Sequence, residues 1–159
     1  MSSEEFDREK SVGYLVNLAG RLLGRALDRR LAAHGVSLGQ FPLLLVLWEE
    51  EGLTQSEIAR RLDIEQPTVA NTLKRMERDG LVAAAPDPRH SRRVLITLTE
   101  RGRALQAPLK KEALQVNRSA AAQLSPQELA GFRATLGRVI AALSDDARSQ
   151  SSSSSGRSL

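Results

Sequence analysis

The sequence predicts a mainly α-helical fold with one small β-hairpin, and three observations carry that reading. Apolar residues recur at helical spacing over most of the chain. Two short helix-like segments lie only a few residues apart near its middle, and two short apolar or alternating runs follow them, flanking a polar, proline-containing stretch. With 159 residues, 41% apolar and 26% charged, the chain supports one compact architecture, and its apolar runs fall well short of a bilayer span.

Over residues 10–31, Tyr14, Leu15, Leu18, Leu22, Leu23, Ala26 and Leu27 form a stripe with Arg21, Arg25, Arg29 and Arg30 between them, which predicts a long amphipathic helix. Residues 33–37 break it. The strongly apolar residues 40–48 read as a buried helix that holds Pro42 in its first turn, and Gly52 closes the acidic stretch after it. Thr54 and Glu57 then form a capping box for a helix over about 54–62. A tight connection through Asp63, Ile64 and Glu65 leads to a second helix over 66–78, which Gly80 stops. Strands are expected at 81–85 and 94–98, with 86–93 as the loop between them. Two helices close the fold, at 100–121 and 126–143, the latter introduced by Ser125, Pro126 and a capping Glu128. The final serine run is expected to be disordered. The expected organisation is therefore an ordered domain over 10–145, a central lobe at 53–99, flanking helical segments at 10–35 and 100–145, and a disordered tail at 146–159.

Chemistry concentrates in the central lobe. In the 66–78 helix, Val69, Leu73 and Met76 form an inward stripe, which leaves Thr68, Asn71, Lys74, Arg75 and Arg78 on the opposite face, with Gln66 at its start. Uncharged hydrogen-bonding groups near the N-terminus can address base edges in a major groove, while the cations farther along meet phosphates. Arg89, Arg92 and Arg93 in the following loop can reach a flanking minor groove. Either feature alone also fits a solvated charged surface. The order helix, tight turn, helix, basic hairpin is more specific, and it predicts a winged helix-turn-helix.

Other function classes find less support. The chain has no cysteine, which excludes disulfides, thiol catalysis and cysteine-ligated metal sites. His34 and His90 are its two histidines and neither sits in a ligand cluster, so no metal or cofactor is expected, and no acid, base and nucleophile form an enzymatic constellation. The net charge of +4 is compatible with an anionic polymer but decides nothing. The acidic, polar opening over residues 1–7 lacks the character of a secretory signal, so the expected compartment is the cytoplasm.

These residues resemble the MarR family of bacterial winged-helix regulators. The match runs through Leu38, Gln40, Phe41 and Leu44, then Leu53, Thr54, Glu57, Ile58, Ala59 and Leu62. It continues through Thr68, Val69, Leu73, Met76, Glu77, Gly80, Leu81 and Val82 to Leu98, Thr99, Glu100 and Gly102. The resemblance implies a homodimer of interleaved N- and C-terminal helices, a pseudo-palindromic double-stranded DNA operator, and release by a small aromatic or acidic effector. It places base recognition on Gln66, Thr68, Asn71, Lys74 and Arg75, and the wing-tip role on Arg92. One departure is visible: family wings commonly carry aspartate two residues before that arginine, where this chain has His90, and Asp87 is the candidate replacement.

Two further expectations concern assembly and ligand. Leu129, Phe132, Leu136, Val139, Ile140 and Leu143 give the last helix a broad apolar face that either a partner subunit or the first helix can cover. Phe41 and Trp48 lie on one side of their helix, where core packing is the first reading and an effector cavity the second, with Asn17, Arg21 and His34 as its polar contacts. A protein-interaction module or a nonspecific architectural DNA binder remains the alternative, and discrete operator binding separates a regulator from both.

Overall fold

The computed structural model describes residues 7–154, so the opening residues 1–6 and the end of the serine run lie outside the described residues. Two compact units divide the chain after Asn117. In the first, a short turn at Arg8–Lys10 leads into α1 (Val12–Ala32), whose N-cap Ser11 accepts the Tyr14 N–H at 3.3 Å. The second helix, α2 (Phe41–Glu49), takes Pro42 in its first turn as the sequence predicts and buries Phe41, Leu43, Leu44, Val46 and Leu47. A helix apolar on nearly every side belongs at the centre of a fold, and α2 is central to the core. Around it pack Leu31 of α1, Ile58 of α3 (Gln55–Leu62), and Val69, Leu73 and Met76 of α4 (Gln66–Arg78). Full burial of each such side chain stabilises by roughly 1.5–3 kcal/mol.

Local chemistry explains the boundaries. Thr54 and Glu57 make the expected reciprocal capping box, and α3 ends at Asp63 in a left-handed conformation at φ 52°. Gly80, at φ 67°, turns the chain out of α4. Strands β1 (Val82–Asp87) and β2 (His90–Leu98) then pair antiparallel. Both reach farther than the sequence predicts, so the expected eight-residue loop is a tight turn at Pro88 and Arg89. Leu53 adds a bridge to this hairpin, its carbonyl accepting the Ile96 N–H at 2.8 Å, a pairing that periodicity does not signal.

The single helix expected over 100–121 is two: α5 (Glu100–Ala104) and α6 (Gln106–Ala120). Pro108 supplies the reason, since it has no N–H for the Ala104 carbonyl and its ring crowds that position. At the start of α5 the backbone passes very close to the α4–β1 connection. A Cβ built on Gly102 would lie 2.2 Å from the Leu81 carbonyl oxygen. The Gly102 N–H donates to Thr99 Oγ1 at 3.0 Å, that hydroxyl donates to the Gly80 carbonyl at 2.6 Å, and Trp48 Nε1 donates to the Gly102 carbonyl at 2.9 Å.

In the second unit, α7 (Pro126–Ser154) starts at the expected capping box, with the Ser125 N–H on Glu128 Oε2 at 2.8 Å and the Glu128 N–H on Ser125 Oγ at 3.3 Å. It continues beyond the predicted end near 143 and through most of the serine run, where a disordered tail is expected. Once a helix is nucleated each added residue closes another hydrogen bond, and serine lowers helix propensity only modestly. No helix among the described residues is long and apolar enough to cross a membrane.

Gly102→Ala forces a methyl group into the Leu81 backbone. Urea unfolding is expected to show a loss of about 3 kcal/mol or more, whereas Gly131→Ala in α7, with nothing within 4 Å of the new Cβ, is expected to be neutral or slightly stabilising.

Candidate nucleic-acid interface

Helix α4 separates its two faces cleanly. Val69, Thr72, Leu73 and Met76 are buried, and Gln66, Thr68, Asn71, Lys74, Arg75 and Arg78 are exposed. Its N-terminus is tied to α3 by Gln55 Nε2, which donates to the Gln66 carbonyl at 3.2 Å. Within the helix the Thr72 hydroxyl donates to the Thr68 carbonyl at 2.9 Å and receives Arg75 Nη2 at 3.2 Å, so Arg75 is tethered along the helix side. An exposed row of amide and hydroxyl groups followed by cations is thus presented on a rigid, core-anchored rod.

The wing divides its three arginines. Asp87 pairs with His90 and Pro86 with Val94, so Ser91, Arg92 and Arg93 form an irregular bulge on β2 that re-aims side chains near the tip. Asp87 is buried; its Oδ1 receives the Arg89 N–H at 2.9 Å and shapes the turn. Arg93 lies 3.9 Å from Asp87 Oδ2 and donates to Glu57 Oε1 at 3.2 Å. It braces the wing against the capping box of α3 while remaining exposed, as Arg89 and Arg92 also are. Asp87, the candidate replacement for the aspartate absent before Arg92, faces Arg93 at 3.9 Å. Glu57 is held below the usual carboxylate range by the Thr54 N–H and hydroxyl, with Arg93 adding to the effect.

The exit from the wing is fixed by charge as well. Glu51 accepts both Arg103 Nε at 2.8 Å and Nη2 at 2.7 Å, and receives the Leu98 N–H at 3.1 Å. The Arg103 bonds chiefly hold the Glu51 carboxyl below its ordinary range, and Glu51 in turn raises Arg103.

Among the cavities that border α1, two bear on the effector prediction. The first, about 770 Å³, is bordered by Asn17, Arg21, Arg25, residues 37–39 and Arg75. The second, about 630 Å³ and largely apolar, is bordered by Leu23, Leu27, Phe41 and Leu45, with Lys110 and Asn117 as polar side chains. The five residues predicted for an effector therefore do not share one space. Asn17 and Arg21 line the first cavity and Phe41 the second. Trp48 borders neither; it packs edge-on to Phe41 at 6.2 Å, donates to Gly102, and lies under Lys110 Nζ at 5.9 Å. His34 also borders neither, sitting in the turn that closes α1, where its N–H meets the Leu31 carbonyl at 2.9 Å. Lys110 reaches this space from α6, a placement beside α2 that the sequence pattern offers no means of reading.

Comparison with known proteins supports the arrangement. The MarR family profile matches residues 34–93. An HTH-type transcriptional repressor of Mycobacterium bovis is 30% identical over 135 residues, covering 85% of this chain and 94% of that protein. The chain belongs to the MarR family. The HTH-type transcriptional regulator TtmR of Methylorubrum extorquens is 42% identical over 96 residues, 60% of this chain, and the match spans about half (49%) of that relative. The structure of Bordetella bronchiseptica BpsR, described with regulation of its DNA binding by 6-hydroxynicotinic acid, aligns at a TM-score of 0.78 with 25% identity, covering 85% of this chain and 96% of that one.

Within this MarR-family fold, α3, α4 and the hairpin make the winged helix-turn-helix that the sequence predicts. Glu57 was legible only as a helix cap. Its second role, holding Arg93, depends on the wing folding back over α3 and leaves no sequence spacing to find.

The depressed carboxyls give a pH dependence with a definite sign. Glu57 and Glu51 titrate lower when folded than when unfolded, so their contribution is present above about pH 4.3 and fades as pH falls through their folded values. Thermal melts from about pH 6 to about pH 3 are expected to show a shallower acid decline in Glu57→Gln than in the parent.

Proposed function

We propose that this protein is a homodimeric transcriptional regulator that binds a pseudo-palindromic double-stranded DNA operator and is released by a small aromatic or acidic effector, acting in the cytoplasm. The observation that carries the DNA reading is the exposed face of α4. Gln66, Thr68 and Asn71 stand toward the end that enters a major groove, Lys74, Arg75 and Arg78 follow, and a wing with exposed Arg89 and Arg92 adjoins. In this reading Thr68 and Asn71 address base edges, the α4 cations hold phosphates, and Arg92 enters the flanking minor groove. Arg93 belongs to the brace rather than the contact set.

Dimerisation is supported by apolar side chains left open to solvent. Phe132 is 56% exposed, Ile140 57% and Leu143 66% on α7, and Leu15, Val16, Leu22 and Leu23 are exposed on α1. A lone chain gains nothing from keeping such stripes wet, and one recognition helix supplies a small interface, whereas two can read half-sites about one helical turn apart. The effector reading is supported by the cavities beside α1 and by the ligand named for BpsR; guanidinium and ammonium groups at Arg21, Arg25 and Lys110 suit an anion with an apolar body. Such a ligand must prefer the arrangement that does not fit DNA, because equal affinity for both shifts nothing.

Light scattering is expected to give a dimer mass, and footprinting two protected half-sites; a monomer that protects no discrete operator sinks the reading. Against a full set of operator variants, Asn71→Ala and Thr68→Ala are expected to change base preference by about 1–3 kcal/mol at single positions. Lys74→Ala and Arg78→Ala are expected instead to weaken all duplexes similarly and to lower the salt slope by about one unit each. Unaltered base preference in both α4 variants removes the proposed reading face. Arg92→Ala is expected to weaken flanking recognition while the dimer mass persists.

For the effector, operator titrations at fixed salt are paired with melting curves over a panel of aromatic acids. A true effector raises the melting temperature and lowers operator affinity over one concentration range, and Arg21→Ala or Lys110→Ala blunts both. Stabilisation without any change in DNA affinity counts against the allosteric site.

A further inference from the structure

Gln40 is 3% exposed and its side chain joins two parts of the fold that sequence separates. Its Oε1 accepts the Ser37 N–H at 3.0 Å, and its Nε2 donates to Asp79 Oδ2 at 2.8 Å. Asp79 is the C-cap of α4, its own N–H closing on the Arg75 and Glu77 carbonyls. From the other side, Arg101 Nη1 donates to the Asp79 carbonyl at 2.8 Å and Arg78 Nε to Asp79 Oδ1 at 3.1 Å. The turn that Gln40 grips is itself fixed to α1. The Leu38 N–H donates to Asp28 Oδ1 at 2.9 Å, and the Leu38 side chain rests where Gly24 leaves room, 3.1 Å from a Cβ built there. Residues 37–39 form part of the wall of the cavity beside α1.

We propose that Gln40 is a positioning residue for DNA recognition: it carries displacements of α1 and the 37–39 turn to the C-terminal end of α4, and so sets operator affinity. This rests on the regulator reading above and adds the route by which occupancy beside α1 reaches the recognition helix. The carboxamide suits the task because it accepts and donates at once while neutral. Glutamate accepts but cannot donate when ionised, and methionine cannot donate and accepts only weakly. Buried, its two bonds have no ready replacement in water. The lever is long: α4 extends about 20 Å at 1.5 Å per residue, so a tilt of about 5° at Asp79 moves its far end by nearly 2 Å. The hydrogen bond from Gln40 is also the leading cause of the lowered Asp79 carboxyl, ahead of Arg78, with Arg101 adding to it. The charged groups around this point are Asp28, Arg75, Arg78, Asp79 and Arg101; Ser37 offers its backbone N–H.

The test uses the full-length protein, an operator selected from random duplexes by the parent protein, and a scrambled duplex of equal length at the same salt. Gln40→Met is expected to weaken operator binding about tenfold while scrambled-duplex affinity holds. Gln40→Glu is expected to lose as much at about pH 8 and to recover most of it at about pH 5.5, where one proton shared with Asp79 restores the hydrogen bond. Neither the parent nor Gln40→Met gains in that way. Hydrogen exchange without DNA reads the same link, with faster exchange of the Asp79 and Gly80 amides expected in Gln40→Met. No acid recovery in Gln40→Glu, equal losses on both duplexes, or unchanged exchange at Asp79 overturns the proposal. Should Gln40→Met fail to fold, Gln40→Glu at the two pH values decides. A parent protein that selects no operator refutes the regulator reading instead, and the exchange measurement still decides whether Gln40 holds the helix end.

Discussion

The close passage of α5 over the α4–β1 connection is the constraint on which the first unit depends. At Gly102 the backbone of one element lies against the Leu81 carbonyl of another, a separation that admits no Cβ. Around that contact the polar groups are mutually satisfied. Thr99 caps α5 and ties to Gly80, and the Trp48 indole finds its acceptor in Gly102. The first N–H groups of a helix need partners wherever water is excluded, and an indole can sit in a core only when its N–H has one. A single packing arrangement meets both demands and pins α2, the end of α4, the exit of β2 and the start of α5 at one place.

Most of this architecture was legible in the sequence because it rests on local signals. The capping boxes at Thr54 and Ser125, Pro42 in a first turn and Gly80 after α4 act within a few residues, and the structure places them where those signals point. Long-range geometry was less legible. Ala83, Ala84 and Ala85 give β1 no clear alternation, so the reach of the hairpin depends on pairing with β2, and the bridge from Leu53 depends on tertiary position. The break between α5 and α6 was less legible, because Pro108 lies among residues whose spacing reads as one helix. The scattered effector residues show another limit. Periodicity assigns Phe41 and Trp48 to the same side of α2, but only packing assigns one to a cavity wall and the other to a hydrogen bond with α5.

The arginines show why composition was a weak guide to function. Arg30 pairs with Glu112 at 2.9 Å, Arg61 with Glu50, Arg103 with Glu51, and Arg93 with Glu57. Exposed pairs of this kind each contribute little to stability, about 0–1 kcal/mol. Their consequence here is geometric: each joins separate elements, three of the four across more than 30 residues of sequence, and each engages a guanidinium that would otherwise be open to a polyanion. What remains exposed on α4 and the wing is a smaller group, set by where acidic side chains fall in the fold rather than by the net charge of the chain.

That allocation also bears on how recognition could be controlled. At its N-terminus α4 is tied to α3 through Gln55 and Gln66; at its C-terminus it is tied to the 37–40 turn and to α5 through Gln40, Asp79 and Arg101. The wing is bound to α3 through Arg93. These bonds fasten α4 and the wing to their neighbours among the described residues. A packed unit with satisfied polar groups moves as a body, and movement concentrates where regular hydrogen bonding is interrupted. In this chain such interruptions lie at the turn between α1 and α2 and at the Ala104 carbonyl, for which Pro108 has no N–H. Both are outside the reading surface, and the first borders the cavity that holds Asn17 and Arg21. Control by small displacement of an intact lobe therefore fits the construction better than local remodelling of α4.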